Sequence, residues 1–270
     1  MPFCETRGAR IHFQVRGEGE PLLVLNGWSA SGLIWPERWL EHLARSFRLV
    51  IVCNRGTGYS DAVSEQFTMV DLADDALAVL DDLGVSTAHV FGMSMGGMIA
   101  QTIVVEQPER VRGLVLCSTA PGGPEMVQAS PEVMLRLITP APGTSPDELV
   151  GGVWRRIVSP GFGEREPEVM DLLVAAVAAR PTPVSVILLQ WQAMSGFAVF
   201  DRLAGVRAPT LVLHGDVDPL IPFPNGVMIA DRIPGARFEA YPGVGHLIPW
   251  EVMDRSAELI EEFLLGLASA

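Results

Sequence analysis

The chain has 270 residues, 49% of them hydrophobic, enough for one large domain with a sizeable core, or a domain carrying an insertion. Its formal net charge is −13, and a surface of that sign repels phosphate backbones, so nucleic-acid binding is not expected. All 19 basic residues are Arg, which leaves no lysine for Schiff-base chemistry or for a phosphate-binding loop.

In chain order, residues 10–16 (RIHFQVR) alternate as a half-solvated strand does. The Gly-Glu-Gly-Glu-Pro that follows marks a turn. Residues 22–25 (LLVL), 49–53 (LVIVC), 88–91 (AHVF), 111–117 (VRGLVLC) and 210–213 (TLVL) are short continuous apolar runs. Runs of this kind fit strands buried on both faces of a parallel sheet. Between them, 70–83 carries Leu72, Ala76, Leu77, Leu80 and Leu83 as a helical stripe. Asp74, Asp75, Asp81 and Asp82 fall mostly elsewhere, and Gly84 stops the helix. Residues 251–265 repeat the pattern with Met253, Ala257, Ile260, Phe263 and Leu264. Strands alternating with helices predict an α/β fold with right-handed crossovers.

Residues 121–205 break the alternation. Pro-Gly-Gly-Pro, Pro-Ala-Pro-Gly, Ser-Pro-Gly and Arg-Pro-Thr-Pro separate short helical segments near 131–138, 146–158, 166–179 and 183–195. The segment reads as a helical insertion between two sheet strands. That divides the chain into 1–120 with 206–270 as the core and 121–205 as the insertion. Long insertions off strand ends tend to carry function.

The three cysteines, Cys4, Cys53 and Cys117, are odd in number and form no CxxC pair. Neither a disulfide framework nor a metal cluster is expected. Cys53 and Cys117 lie in apolar runs and read as small core residues. The opening Met-Pro-Phe-Cys-Glu-Thr-Arg lacks the charged-then-apolar pattern of a signal peptide. The apolar runs near 172–179 and 186–189 are too short to span a bilayer. A cytoplasmic protein without membrane insertion is expected.

Gly92-Met93-Ser94-Met95-Gly96 matches G-x-S-x-G, follows a predicted strand and opens a predicted helix, the context that motif requires. A turn this tight strains the serine backbone and leaves no room for side chains two positions to either side. It exposes the Ser94 hydroxyl at the sheet tip and aims the Met95 backbone N–H at a developing oxyanion. The alternative is a helix-capping serine flanked by glycines.

A serine nucleophile needs a base, and the base an orienting acid. On such a sheet the expected chain order is Ser, acid, His. After Ser94 the sequence offers His214, inside LVLHGD and read as structural, and His246, in the loose loop Gly243-Val-Gly-His-Leu-Ile-Pro-Trp-Glu. His12, His42 and His89 precede the serine and read as surface or strand residues. The acid is Asp216 or Asp218. Asp216 beside Gly215 suits a turn, and Asp218 is favoured because Asp-Pro-x-x-Pro sets it at the far end of its loop. A second oxyanion donor must come from the loop after an earlier strand. Asn26-Gly27-Trp28-Ser29 directly follows LLVL.

At these residues the sequence resembles the α/β-hydrolase superfamily. The segments are NGWSASGLIW, NRGTGYSD, GMSMGG, HGDVDPLIP and GVGHLIPWE, in that family's order and spacing, and the likeness covers nearly the whole chain. The resemblance implies a mostly parallel eight-stranded sheet, with 121–205 as a helical cap inserted before the last two strands. It also implies a Ser94–Asp218–His246 triad and an oxyanion hole made by the backbone N–H groups of Trp28 and Met95. The similar subgroups are small carboxylesterases, methyl esterases, enol-lactone hydrolases and cofactor-free perhydrolases, none of which needs a metal or organic cofactor. Two departures stand out. Asn26 occupies the usual His position and is expected to keep a loop hydrogen bond. Cys53 occupies an often acidic position, which is expected to leave Arg55 without a buried charge partner.

Serine at this turn disfavours the family's dehalogenases and epoxide hydrolases, which use Asp there. The expected activity is acyl transfer from a small-molecule ester or lactone to water. The alternatives are cleavage of a C–C bond beside a ketone by the same residues, or a non-catalytic binding protein. The insertion offers Met126, Met134, Trp154, Phe162, Met170, Trp191, Met194 and Phe197. Half or more are expected to hold it together, with Trp154, Trp191 and Met194 as candidate substrate contacts. Arg155 and Arg156 are read as a solvated helix face, the alternative being a site for a substrate carboxylate.

Overall fold

A computed structural model describes residues 1–139 and 146–267. Eight strands form one sheet: β1 (Phe3–Glu5), β2 (Arg10–Arg16), β3 (Glu20–Leu25), β4 (Phe47–Val52), β5 (Ala88–Met93), β6 (Val111–Cys117), β7 (Thr210–Gly215) and β8 (Arg237–Tyr241). Their order is β1-β2-β4-β3-β5-β6-β7-β8. Strand β1 pairs antiparallel with β2, and β2 antiparallel with β4. The pairings from β4 through β8 are parallel. The predicted α/β-hydrolase sheet is therefore present. Strands β1 and β8, absent from the sequence reading, are short edge strands. Arg237 and Glu239 interrupt β8, so it carries no continuous apolar run.

The apolar runs are continuous because each strand feeds two cores. In β3, Leu23 and Leu25 pack with Val50 and Val52 of β4 against one layer of helices, while Leu22 and Val24 pack with Leu49 and Ile51 against the other. Successive side chains on a strand point to opposite faces. The first layer includes α2 (Met69–Asp82) and α3 (Met95–Glu106); the second includes α1 (Glu37–Leu43) and α11 (Met253–Gly266). A capping box starts α2: Thr68 Oγ1 accepts from the Asp71 N–H, and Asp71 Oδ2 from the Thr68 N–H. Such a cap contributes about 1 kcal/mol.

Between β6 and β7 lie α4 (Pro131–Ile138), α5 (Pro146–Ile157), α6 (Phe162–Arg165), α7 (Pro167–Ala179) and α8 (Val184–Ser195), close to the expected helical segments. Two short helices flank β8, α9 (Pro224–Arg232) before it and α10 (Ile248–Glu251) after it. Among the described residues no single helix is long and apolar enough to cross a membrane. Cys4, Cys53 and Cys117 are all free and buried.

Two expectations need correction here. Arg55 does have a buried charge partner: its Nε and Nη2 donate to the two Asp75 carboxylate oxygens at 2.7 and 2.9 Å. Asp75, read as lying off the apolar stripe of its helix, is buried. The position vacated by the family's acid is taken by the Cys53 thiol, which lies 3.3 Å from His12 Nδ1. Burial pushes that thiol up to about 11, so it stays protonated and unreactive at neutral pH.

The chain leaves β3 for β4 on one side and returns to β5 on the other, so the order reverses between β3 and β5. The carboxyl ends of strands at such a switch point form a crevice suited to ligands. The loops after β3, β5, β7 and β8 carry Trp28, Ser94, Asp218 and His246.

Candidate active site

Ser94 sits at the junction of β5 and α3 with φ 57° and ψ −121°, a conformation that costs a non-glycine residue about 1–3 kcal/mol. The glycines beside it are sterically required. A Cβ on Gly92 would lie 2.2 Å from the Gly96 carbonyl oxygen, and one on Gly96 would lie 2.2 Å from that of Leu25. Ser94 occupies the N-cap position of α3, yet its side chain makes no capping hydrogen bond. Its Oγ has no hydrogen-bond partner among the described residues. The capping alternative therefore leaves the hydroxyl unexplained.

Asp218 and His246 meet directly, with His246 Nδ1 2.7 Å from Asp218 Oδ2. Asp218 Oδ1 accepts from the backbone N–H groups of Leu220 and Ile221, both at 2.9 Å. This fully buried carboxylate thus has partners on both oxygens, as a buried charge requires. With Nδ1–H donating to Asp218, the neutral imidazole presents Nε2 as an acceptor. Asp216 instead accepts from the Gly243 N–H at 2.6 Å and shapes the turn. His214 is structural: its Nε2 bonds the Ile221 carbonyl at 2.9 Å, and burial holds its pKa below the usual histidine value. His12, His42 and His89 lie elsewhere, against Cys53, Glu261 and Glu20.

Ser94 and His246 line one cavity together with Gly27, Trp28 and Trp154. A second lobe opens from Ser94 and Trp28 toward Met126, Trp191 and Met194. All three candidate contacts, Trp154, Trp191 and Met194, therefore line the cavity. Of the eight large side chains singled out in the insertion, five line it, the remaining two of these being Met126 and Met134. Phe162, Met170 and Phe197 are buried in the cores. That reverses the expectation that half or more would only hold the insertion together, because the inner face of the insertion forms part of the cavity wall. Arg155 pairs with Asp171, and Arg156 bonds the Gly152 and Thr139 carbonyls. Neither lines either lobe.

The Trp28 indole N–H donates to the Ile187 carbonyl of α8 at 2.9 Å. Its backbone N–H, like that of Met95, has no partner among the described residues. Asn26 keeps the expected loop bond, donating to the Ala30 carbonyl at 3.2 Å.

Two supporting residues escaped the sequence reading. Gln190 of α8 accepts from the Ser29 N–H at 2.9 Å and so braces a residue at φ 59°. Glu251 accepts from the N–H groups of Gly245, Leu247 and Ser159, holding the His246 loop from both sides. Helix α8 also carries Ser185, Gln192 and Ser195, and only burial in the fold sets Gln190 apart from them. Among the described residues no cluster of His, Cys, Asp and Glu side chains could hold a metal ion.

The alpha/beta hydrolase fold model matches residues 20–152. A rhodomycin D methylesterase of Streptomyces sp. (strain C5) is 32% identical over 89% of each chain. The chain belongs to the alpha/beta hydrolase family. This hydrolase is also 27% identical to the 2-hydroxy-6-oxo-6-phenylhexa-2,4-dienoate hydrolase of Burkholderia cepacia, over 94% of this chain and 91% of the relative. The solved structure of Est816, an N-acyl homoserine lactone degrading enzyme, superposes with a TM-score of 0.81 at 29% identity, over 97% of this chain and all of the other.

Proposed function

We propose that the protein hydrolyses carboxylic esters through a Ser94 acyl-enzyme, with His246 as the base, Asp218 as its orienting acid and 121–205 as the cap. The observation that carries this reading is a strained serine with an unspent hydroxyl, sharing a cavity wall with a histidine whose Nδ1 is held by a buried carboxylate. Ser94 Oγ attacks the ester carbonyl carbon while His246 Nε2 takes its proton. The oxyanion is held by the Trp28 and Met95 N–H groups, each worth about 3 kcal/mol in the transition state. His246 then returns the proton to the departing alkoxide. Water, deprotonated by His246, attacks the acyl-enzyme and releases the acid and free Ser94.

Esters are favoured over the C–C substrates of the Burkholderia cepacia type. A dienoate substrate carries a carboxylate, and among the described residues no Arg lines either lobe. Desolvating that charge without a partner is costly. The likeness to a methylesterase supports the same choice.

A fluorophosphonate reports the nucleophile directly. Peptide mass mapping is expected to find the label on Ser94 in the wild type and nowhere in Ser94→Ala. Labelling elsewhere, or none, would remove this mechanism. The brace on the Trp28 loop gives a second expectation. Gln190→Leu leaves the half-buried Ser29 N–H without its partner, a cost of at most about 1–3 kcal/mol, and loosens the oxyanion donor next to it. Steady-state kinetics should show kcat about tenfold lower with KM nearly unchanged. A change in KM alone would assign Gln190 to substrate binding instead.

A further inference from the structure

Among the described residues two lobes meet at Ser94, and they differ in size and in access to His246. The lobe lined by His246 has a volume of about 40 Å³, the one toward α8 about 130 Å³. We propose that the small lobe holds the alcohol half of the ester and the large lobe the acyl half. The substrate is then a methyl or ethyl ester of an uncharged, apolar acid with a chain longer than its alcohol. This assignment rests on the ester-hydrolase reading above.

Besides the bond to Ser94 Oγ, three substituents leave the tetrahedral carbon. The oxyanion goes to the Trp28 and Met95 N–H groups. The leaving oxygen must come within hydrogen-bond reach of His246 Nε2 to receive its proton. The acyl chain takes the direction that remains. His246 lines the small lobe and not the large one, so proton delivery decides which half goes where.

Volume then sets the substrate. A water-sized sphere needs about 10–15 Å³, so the small lobe has room for roughly three such spheres, the scale of a methoxy or ethoxy group. Trp154 and Ile157 close it. The larger lobe is walled by Met98, Met126, Met134 and Met194. Unbranched thioether side chains adapt to apolar chains of varied shape. Among the described residues neither lobe is lined by an Arg, Asp or Glu, so a charged acyl group finds no counter-ion among them.

Methyl hexanoate and pentyl acetate are isomers that place the long chain on opposite sides of the ester, and they test the assignment. Wild-type kcat/KM is expected to favour methyl hexanoate by about tenfold or more, the scale on which pockets discriminate apolar groups. Enlarging the small lobe with Trp154→Ala should narrow that ratio by raising pentyl acetate turnover. Ile157→Ala is the second variant should the first fail to fold. Equal or better turnover of pentyl acetate by the wild type would overturn the assignment and leave the Ser94 mechanism standing. Phosphonate labelling of Ser94 with no turnover of methyl hexanoate would also overturn it. Failure of the label itself would overturn the hydrolase reading and the assignment with it.

Discussion

Ser94→Ala is expected to lower kcat for a methyl ester by about 10⁴-fold or more, the scale seen when a member of such a catalytic unit is removed. The loss should not grow when His246→Ala is added. A base without a nucleophile to deprotonate contributes little, so the two effects are far from additive. Kinetics on the two single variants and the double variant check this. Multiplicative losses would mean that the residues act in separate steps. The same position reports on strain. At φ 57° and ψ −121° a Cβ is unfavourable, whereas glycine tolerates this region. Ser94→Gly should therefore be as inactive as Ser94→Ala but melt at a higher temperature, with up to about 1–3 kcal/mol of strain removed. A serine kept where glycine is more stable is consistent with stability given up for reactivity.

Asp75→Ala is expected to destabilise the fold by about 3–5 kcal/mol, the scale for removing one partner of a buried ion pair. The side chains of Arg55 and Asp75 are 11% and 4% exposed, with two hydrogen bonds joining them. Without Asp75 the guanidinium keeps its charge and loses both acceptors; the Phe67 ring, 5.6 Å from it, offers little in exchange. Urea unfolding with linear extrapolation measures the difference. A loss under about 1 kcal/mol would show that water reaches Arg55 and screens it as at an exposed site. Replacing both residues with apolar ones of similar volume should recover most of the loss, because the penalty belongs to the orphaned charge and not to the missing pair.

Much of the candidate site is visible in the chain itself, and the reason is local. The glycines at 92 and 96 are steric requirements of one turn, so they surround Ser94 in any chain that makes it. His246 and Asp218 stand in loops marked by glycine and proline directly after strands. The strands of the sheet centre read correctly because burial on both faces demands unbroken apolar runs. Edge strands β1 and β8 lack that burial and with it the pattern.

Tertiary structure alone decided the partners. Asp75 stands beside Asp74 in one helix, and only the fold brings it, and not Asp74, against Arg55. Gln190 meets Ser29 across 161 residues, and Glu251 reaches both Ser159 and the His246 loop. The pairings of Gln190 with Ser29 and of Glu251 with Ser159 span separations that leave no periodic trace in composition or spacing. The two lobes are more remote still: their volumes arise from loops and helices drawn from both halves of the chain. The amino-acid order by itself determines where the proposed nucleophile stands. Which half of a substrate fits on each side of it is set by packing, because a cavity is the space that many distant side chains leave unfilled.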